Sequence, residues 1–132
     1  MTIRTANYTA MQPQREITLR FLAEPTDVNF GGKVHGGAVM KWIDQAGYAC
    51  AVGWSAHYCV TAYRQCRHHH PLPDGLSTHC LMVFVAVDDN GKPVPVPAWT
   101  PETDDDRTLE RYATRMMELR QQIADEILPL KP

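Results

Sequence analysis

His35-Gly-Gly-Ala-Val-Met-Lys-Trp-Ile-Asp-Gln-Ala-Gly-Tyr-Ala-Cys-Ala-Val52 is the stretch on which the fold turns. From Gly36 to Val52 the spacing is helical. Val39, Ile43, Ala46 and Cys50 fall on one stripe, and Met40, Asp44 and Tyr48 follow one another at i, i+4 on another. Small residues dominate (Ala38, Ala46, Gly47, Ala49, Ala51), and Lys41 and Asp44 are the only charges. A helix this apolar has to be surrounded, and a sheet wrapped around it is the expected cover.

Upstream, Arg15 to Ala23 reads as a strand, with Ile17, Leu19 and Phe21 alternating with Thr18 and Arg20. Glu24 to Lys33 carries Pro25, Asp27, Asn29 and Gly31-Gly32, the punctuation of a loop. Downstream, Tyr58 to Tyr63 reads as a second short strand. From Arg64 to Gly75 the alternation is lost, which predicts an irregular junction over 64–77. Cys80-Leu-Met-Val-Phe-Val-Ala-Val87 is apolar on both faces, so Thr78 to Val87 should be a central strand. Asp88 to Gly91 is a turn, with Asn90-Gly91 suited to positive φ. Lys92 to Pro97 alternates Pro with Val, which prevents a full ladder and predicts an extended tail. A last helix should start near Thr103, with Asp104, Asp105 and Asp106 at the positive end of its dipole, and stop at Pro129. The aspartate run has a metal-binding reading and an acidic-first-turn reading; the second is the commoner use. His68-His69-His70 likewise reads as a solvated loop before it reads as a zinc site, because adjacent side chains diverge.

The chain has 132 residues, 44% hydrophobic and 21% charged, which bounds it to one globular domain with a mobile start over 1–14 and a tail and helix over 98–132. A net charge of −2 gives no reason to expect nucleic acid or an anionic membrane as partner. No apolar run reaches the ~20 residues that span a bilayer, and Met1 to Gln14 lacks a signal-peptide core. The expectation is a cytoplasmic protein. Cys50, Cys59, Cys66 and Cys80 include no Cys-x-x-Cys pair, so free thiols in a reducing compartment are expected.

The chemistry concentrates where the loop meets the helix. First-turn amides of a helix are unpaired and partly positive, and Gly36 and Gly37 let a ligand approach the backbone. A thioester carbonyl placed there would find donors for its developing negative charge, with the Gly37 N–H as first donor. Asp44, about two turns on, reads either as a base or nucleophile activated by burial or as a structural carboxylate paired with an arginine. Asn29 reads either as an orienting amide or as a turn residue.

Leu22-Ala-Glu-Pro-Thr-Asp-Val-Asn29, Gly32-Lys-Val-His-Gly-Gly37 and Lys41-Trp-Ile-Asp44 resemble the hotdog-fold acyl-CoA thioesterases, in particular the bacterial acyl-CoA hydrolase group. Thr78 to Pro97 resembles that family's last core strand and the segment after it. The resemblance implies an α+β hotdog fold, an antiparallel sheet curled around one long central helix, here with an added C-terminal helix. It also implies hydrolysis of acyl-CoA to free CoA and a carboxylic acid by Asp44, Asn29, Gly37 and Gly36. His35, Arg64 and Arg67 would contact substrate, with no metal and no cofactor beyond the CoA of the substrate. Active sites would be shared in a homodimer or larger homo-oligomer. The alternatives are an inactive hotdog subunit, or a hydratase or binding protein for CoA or carrier-protein thioesters; the lone Asp44, without a helix histidine, favours hydrolysis.

The chain departs from the family in one place. Pro71-Leu-Pro-Asp-Gly-Leu76 resembles a turn that should be followed by two long strands, yet Ser77-Thr-His-Cys80 enters the last strand almost at once. A hairpin of about 30 residues has no counterpart. The sheet should therefore be incomplete, with apolar helix surface and strand edges left open.

Overall fold

The computed structural model describes residues 13–68 and 78–128. The first twelve residues, His69, His70 and the expected turn at Pro71–Leu76 lie outside them. The chain divides into two compact units, Met1–Pro97 and Ala98–Pro132.

In the first unit, a 3-10 turn at Pro25–Asp27 leads to α1, Gly36–Ser55. Two antiparallel strands follow, β1 at Tyr58–His68 and β2 at Thr78–Val87. The helix ends at Ala56, which takes the left-handed conformation (φ 56°, ψ 21°) and donates its N–H to Val52 O. The fold is α+β and hotdog in type, with the sheet reduced to two strands among the described residues.

β1 corrects the expected junction: the strand does not stop at Tyr63 but runs to His68, paired residue by residue with β2. The lost alternation has a local cause. The ladder pairs Thr61 with Phe84 and Tyr63 with Val83, leaving Ala62 as an extra residue in a bulge. One extra residue exchanges the two faces for everything after it. Before the bulge the rungs Cys59–Ala86 and Thr61–Phe84 lie toward the helix; after it, Arg64–Met82 and Cys66–Cys80 do. Two of those inward side chains are a guanidinium and a thiol, so apolar periodicity does not reveal them.

The inward face is fixed by α1. A Cβ built on Gly47 would sit 2.8 Å from Met82 Sδ and 3.3 Å from the Phe84 ring, so helix and strand meet at the glycine. Gly47→Val would drive a branched side chain into that contact. It should destabilise the fold by about 1–3 kcal/mol, read as a lower urea midpoint at unchanged slope.

Arg15 to Ala23 forms no strand and joins no ladder among the described residues, which corrects the expected first strand. A strand needs a neighbour to satisfy its N–H and C=O groups, and the two-stranded sheet does not extend to this segment. It runs along α1 instead. Gln14 N–H donates to Gly53 O at 3.4 Å, the Cys50 thiol lies 3.9 Å from Arg15 O, and Phe21 stacks on Trp42 with ring centroids 5.8 Å apart. Only Cys59, Ala86 and Val87 are buried apolar residues among those described, at 4%, 4% and 7% exposure. No described residue of α1 except Ser55 is fully enclosed, so the helix is left as bare as an incomplete sheet predicts.

Cys66 and Cys80 form a disulfide across facing rungs, Cα atoms 4.0 Å apart. This overturns the expectation of four free thiols, whose premise was sequence spacing; the strand register brings the two together. Cys50 and Cys59 stay free, and burial pushes the Cys50 thiol up from its ordinary value, away from thiolate chemistry.

After β2, Asp88 Oδ1 accepts from the Asn90 and Lys92 amides, and Gly91 takes φ 75° in the expected turn. The Pro-Val tail touches the sheet through Val94 N–H to Ala86 O, and Trp54 Nε1 donates to Pro97 O at 3.0 Å.

The second unit is built on α2, Asp104–Ile127. Thr103 caps it in a reciprocal box with Asp106, and Asp104 pairs with Arg107 at 2.7 Å. Those partners account for two of the three first-turn aspartates as structural, the reading preferred over a metal.

Candidate functional site

The loop before α1 is closed on itself. Val28 and Val34 form a bridge, Asn29 N–H donates to Lys33 O at 2.7 Å, and Gly32 turns the chain at φ 72°. Asn29 Oδ1 accepts from the amides of Gly31 (2.9 Å) and Lys33 (3.2 Å). Its carbonyl is thus engaged as an Asx turn, one of the two readings open from sequence, and its NH₂ is left for another partner.

His35 N–H donates to Asp27 O at 2.7 Å, which anchors the loop, and His35 O receives Ala38 and Val39 as the helix begins. His35 is the N-cap and makes no side-chain cap. The Gly36 and Gly37 amides therefore take no hydrogen bond among the described residues, and a Cβ built on either glycine meets nothing within 4 Å. Bare donors face open space.

Asp44 follows seven residues on. At 1.5 Å and 100° per residue it lies about 10 Å further along the helix and nearly in line with Gly37. It is less enclosed than expected, its side chain being 47% exposed, the sheet against α1 having only two strands among the described residues. Its neighbour is Arg64, Nη1 to Oδ1 at 3.6 Å, with Arg64 itself 40% exposed. A pair so open to solvent contributes at most about 1 kcal/mol to stability. Arg64 thus faces Asp44, the arginine pairing that was one of the two readings of this carboxylate, although the sequence did not disclose which arginine. Arg67 lies on β1 with its Cα opposite His79. Thr61, which sequence reasoning passed over, shares the rung of Phe84 and so faces the helix too. A lone threonine in a strand sends no signal of its own.

Among the described residues, no group of His, Cys, Asp and Glu is arranged to hold a metal, and no helix is long and apolar enough to cross a membrane. An open cleft lined by Tyr58, Val60, Val87 and Asp88 lies at the end of the sheet where β1 begins.

A sheet laid on one long helix is the hotdog architecture, here with two strands among the described residues, and it is similar in fold to bacterial acyl-CoA thioesterases and hydrolases. The thioesterase superfamily matches residues 31–83. Protein VdlD of Helicobacter pylori, in two strains, is 27% identical over 154 aligned positions that take in 90% of this chain and 84% of that protein. The alignment is longer than the 132-residue chain, so the relative carries residues within it that this chain lacks. Among solved structures, an apo-hexameric acyl-CoA thioesterase is 25% identical with a TM-score of 0.66, over 79% of this chain and 89% of that one. The acyl-CoA hydrolase of Bacillus cereus is 22% identical with a TM-score of 0.69, over 83% and 90%. That of Staphylococcus aureus, solved with butyryl coenzyme A, coenzyme A and its disulfide, is 23% identical with a TM-score of 0.56, over 81% and 89%. The partial family match and these neighbours have thioester hydrolysis as their named chemistry.

Proposed function

We propose that the chain hydrolyses acyl-CoA thioesters to free CoA and a carboxylic acid, in a homo-oligomer whose copies share active sites. The observation that carries this reading is the pair of unbonded glycine amides at the start of a helix that bears Asp44 on the same side. The amides of Gly37 and Gly36 receive the thioester oxygen as charge builds on it. Asp44 takes a proton from water, whose oxygen bonds to the acyl carbon, or its carboxylate attacks that carbon to form a mixed anhydride that water then hydrolyses to the free acid. On either course the C–S bond breaks after the first attack and the CoA sulfur leaves, to be protonated.

A neighbour of the same fold is hexameric, which supports sites shared between copies, each taking its amides from one copy and its carboxylate from another. Alanine variants of the S. aureus hydrolase have been solved at an Asn, an Asp fifteen residues later and a Thr seventeen beyond that. Asn29, Asp44 and Thr61 stand at the same spacing here, which supports Asn29 and Thr61 as polar groups beside the reacting atoms. His35 and Arg67 are proposed to touch the CoA portion.

The deciding experiment is release of free CoA thiol from a panel of acyl-CoAs of increasing chain length. Turnover is expected; absence of release from every member would overturn the reading. Gly37→Ala adds a methyl to space that holds no protein atom. The variant should fold with unchanged or slightly raised stability, since alanine is the better helix former. Its turnover should fall about tenfold as the methyl crowds the carbonyl, a tenth of the rate being ~1.4 kcal/mol of barrier. Thermal unfolding beside the CoA assay separates the two effects.

A further inference from the structure

We infer that Arg64 is the positioning residue for Asp44 rather than a ligand of the CoA phosphates; this rests on the hydrolytic reading above. Three observations converge. The guanidinium lies 3.6 Å from Asp44 Oδ1, so its charge already has a carboxylate partner on the protein. The bulge at Ala62 exchanges the faces of β1, and without it Arg64 would lie on the face away from α1. Bulges beside active sites commonly re-aim a side chain in this way. Two residues on, the Cys66–Cys80 bridge ties β1 to β2 on the same inward face, so the rung that carries Arg64 is held between the bulge and a covalent link. A half-exposed aspartate on a helix has several open rotamers. A cation to one side biases them and leaves the second oxygen, Oδ2, for water or the acyl carbon.

A phosphate ligand and a positioning residue part company in kinetics. Loss of a phosphate contact weakens binding of substrate and product alike, whereas loss of positioning lowers turnover and leaves binding in place. The experiment compares Arg64→Met and Arg64→Lys with wild type, measuring kcat and KM for the best acyl-CoA and inhibition by free CoA. Arg64→Met should lose about tenfold in kcat, the scale of a modest misplacement of a reacting group, with KM and CoA inhibition within twofold of wild type. Arg64→Lys, which keeps the charge, should recover most of the loss and also reports should the Met variant fail to fold. A raised KM with weakened CoA inhibition and full kcat would overturn the inference, as would unchanged kcat in both variants. An inactive wild type, or Asp44→Asn as active as wild type, would instead strike the hydrolytic reading itself.

Discussion

Asp44→Asn should release CoA from acyl-CoA at least a hundredfold more slowly than wild type while keeping its fold. The amide has nearly the shape of the carboxylate but can neither accept the proton of water nor attack a thioester. A positioned general base contributes roughly 10²–10⁴-fold to rate. The structure gives reason to expect an intact fold. Asp44 is 47% exposed, and its pairing with Arg64 across 3.6 Å is open to solvent. An exposed ion pair of this kind contributes about 0–1 kcal/mol, so the urea midpoint should scarcely move. Loss of turnover at constant stability would assign the effect to chemistry. Equal turnover in the two proteins would remove Asp44 from the mechanism, and a collapse of the fold would make it a structural carboxylate.

The second large effect is on stability. Cys66→Ser together with Cys80→Ser should cost about 3 kcal/mol, the loop-closure estimate for residues about 15 apart in sequence. The bridged cysteines are 14 apart. The loss should be large relative to the whole, because Cys59, Ala86 and Val87 are the buried apolar residues among those described, a small core to draw on. Urea unfolding of wild type with and without a strong reductant, beside the double variant, provides the check. Reduced wild type should coincide with the variant. Oxidised wild type unfolding at that same midpoint would show that the bridge adds nothing.

What could be read in advance follows from which patterns survive without long-range information. α1 and α2 announced themselves by period, and α2 further by Thr103 and the aspartates behind it. β2 was plain because Cys80 to Val87 is apolar on both faces. The second half of β1 was hidden by a single extra residue, Ala62, and by inward positions occupied by Arg64 and Cys66. The disulfide could not be seen for the same reason, since it depends on register and not on spacing. Arg15 to Ala23 shows the opposite case: Ile17, Leu19 and Phe21 alternate well enough, but among the described residues no neighbouring strand pairs with them. At the site, the glycine-started helix and its aspartate were legible from residue type and order. Asn29 carried two readings, and its engagement with Gly31 and Lys33 shows the turn role directly. Thr61 could not be read because a lone threonine in a strand sends no signal, and which arginine pairs with Asp44 could not because it depends on the face of the strand after the bulge.

That bulge has an arithmetic consequence. Ahead of Ala62 the odd-numbered residues, Cys59 and Thr61, point inward; beyond it the even-numbered ones, Arg64 and Cys66, do so. The guanidinium beside the carboxylate and the sulfur bridge are therefore not separate attainments of the strand. Both are set by one odd-to-even crossover, and they stand or fall together with it, however little Ala62 itself touches.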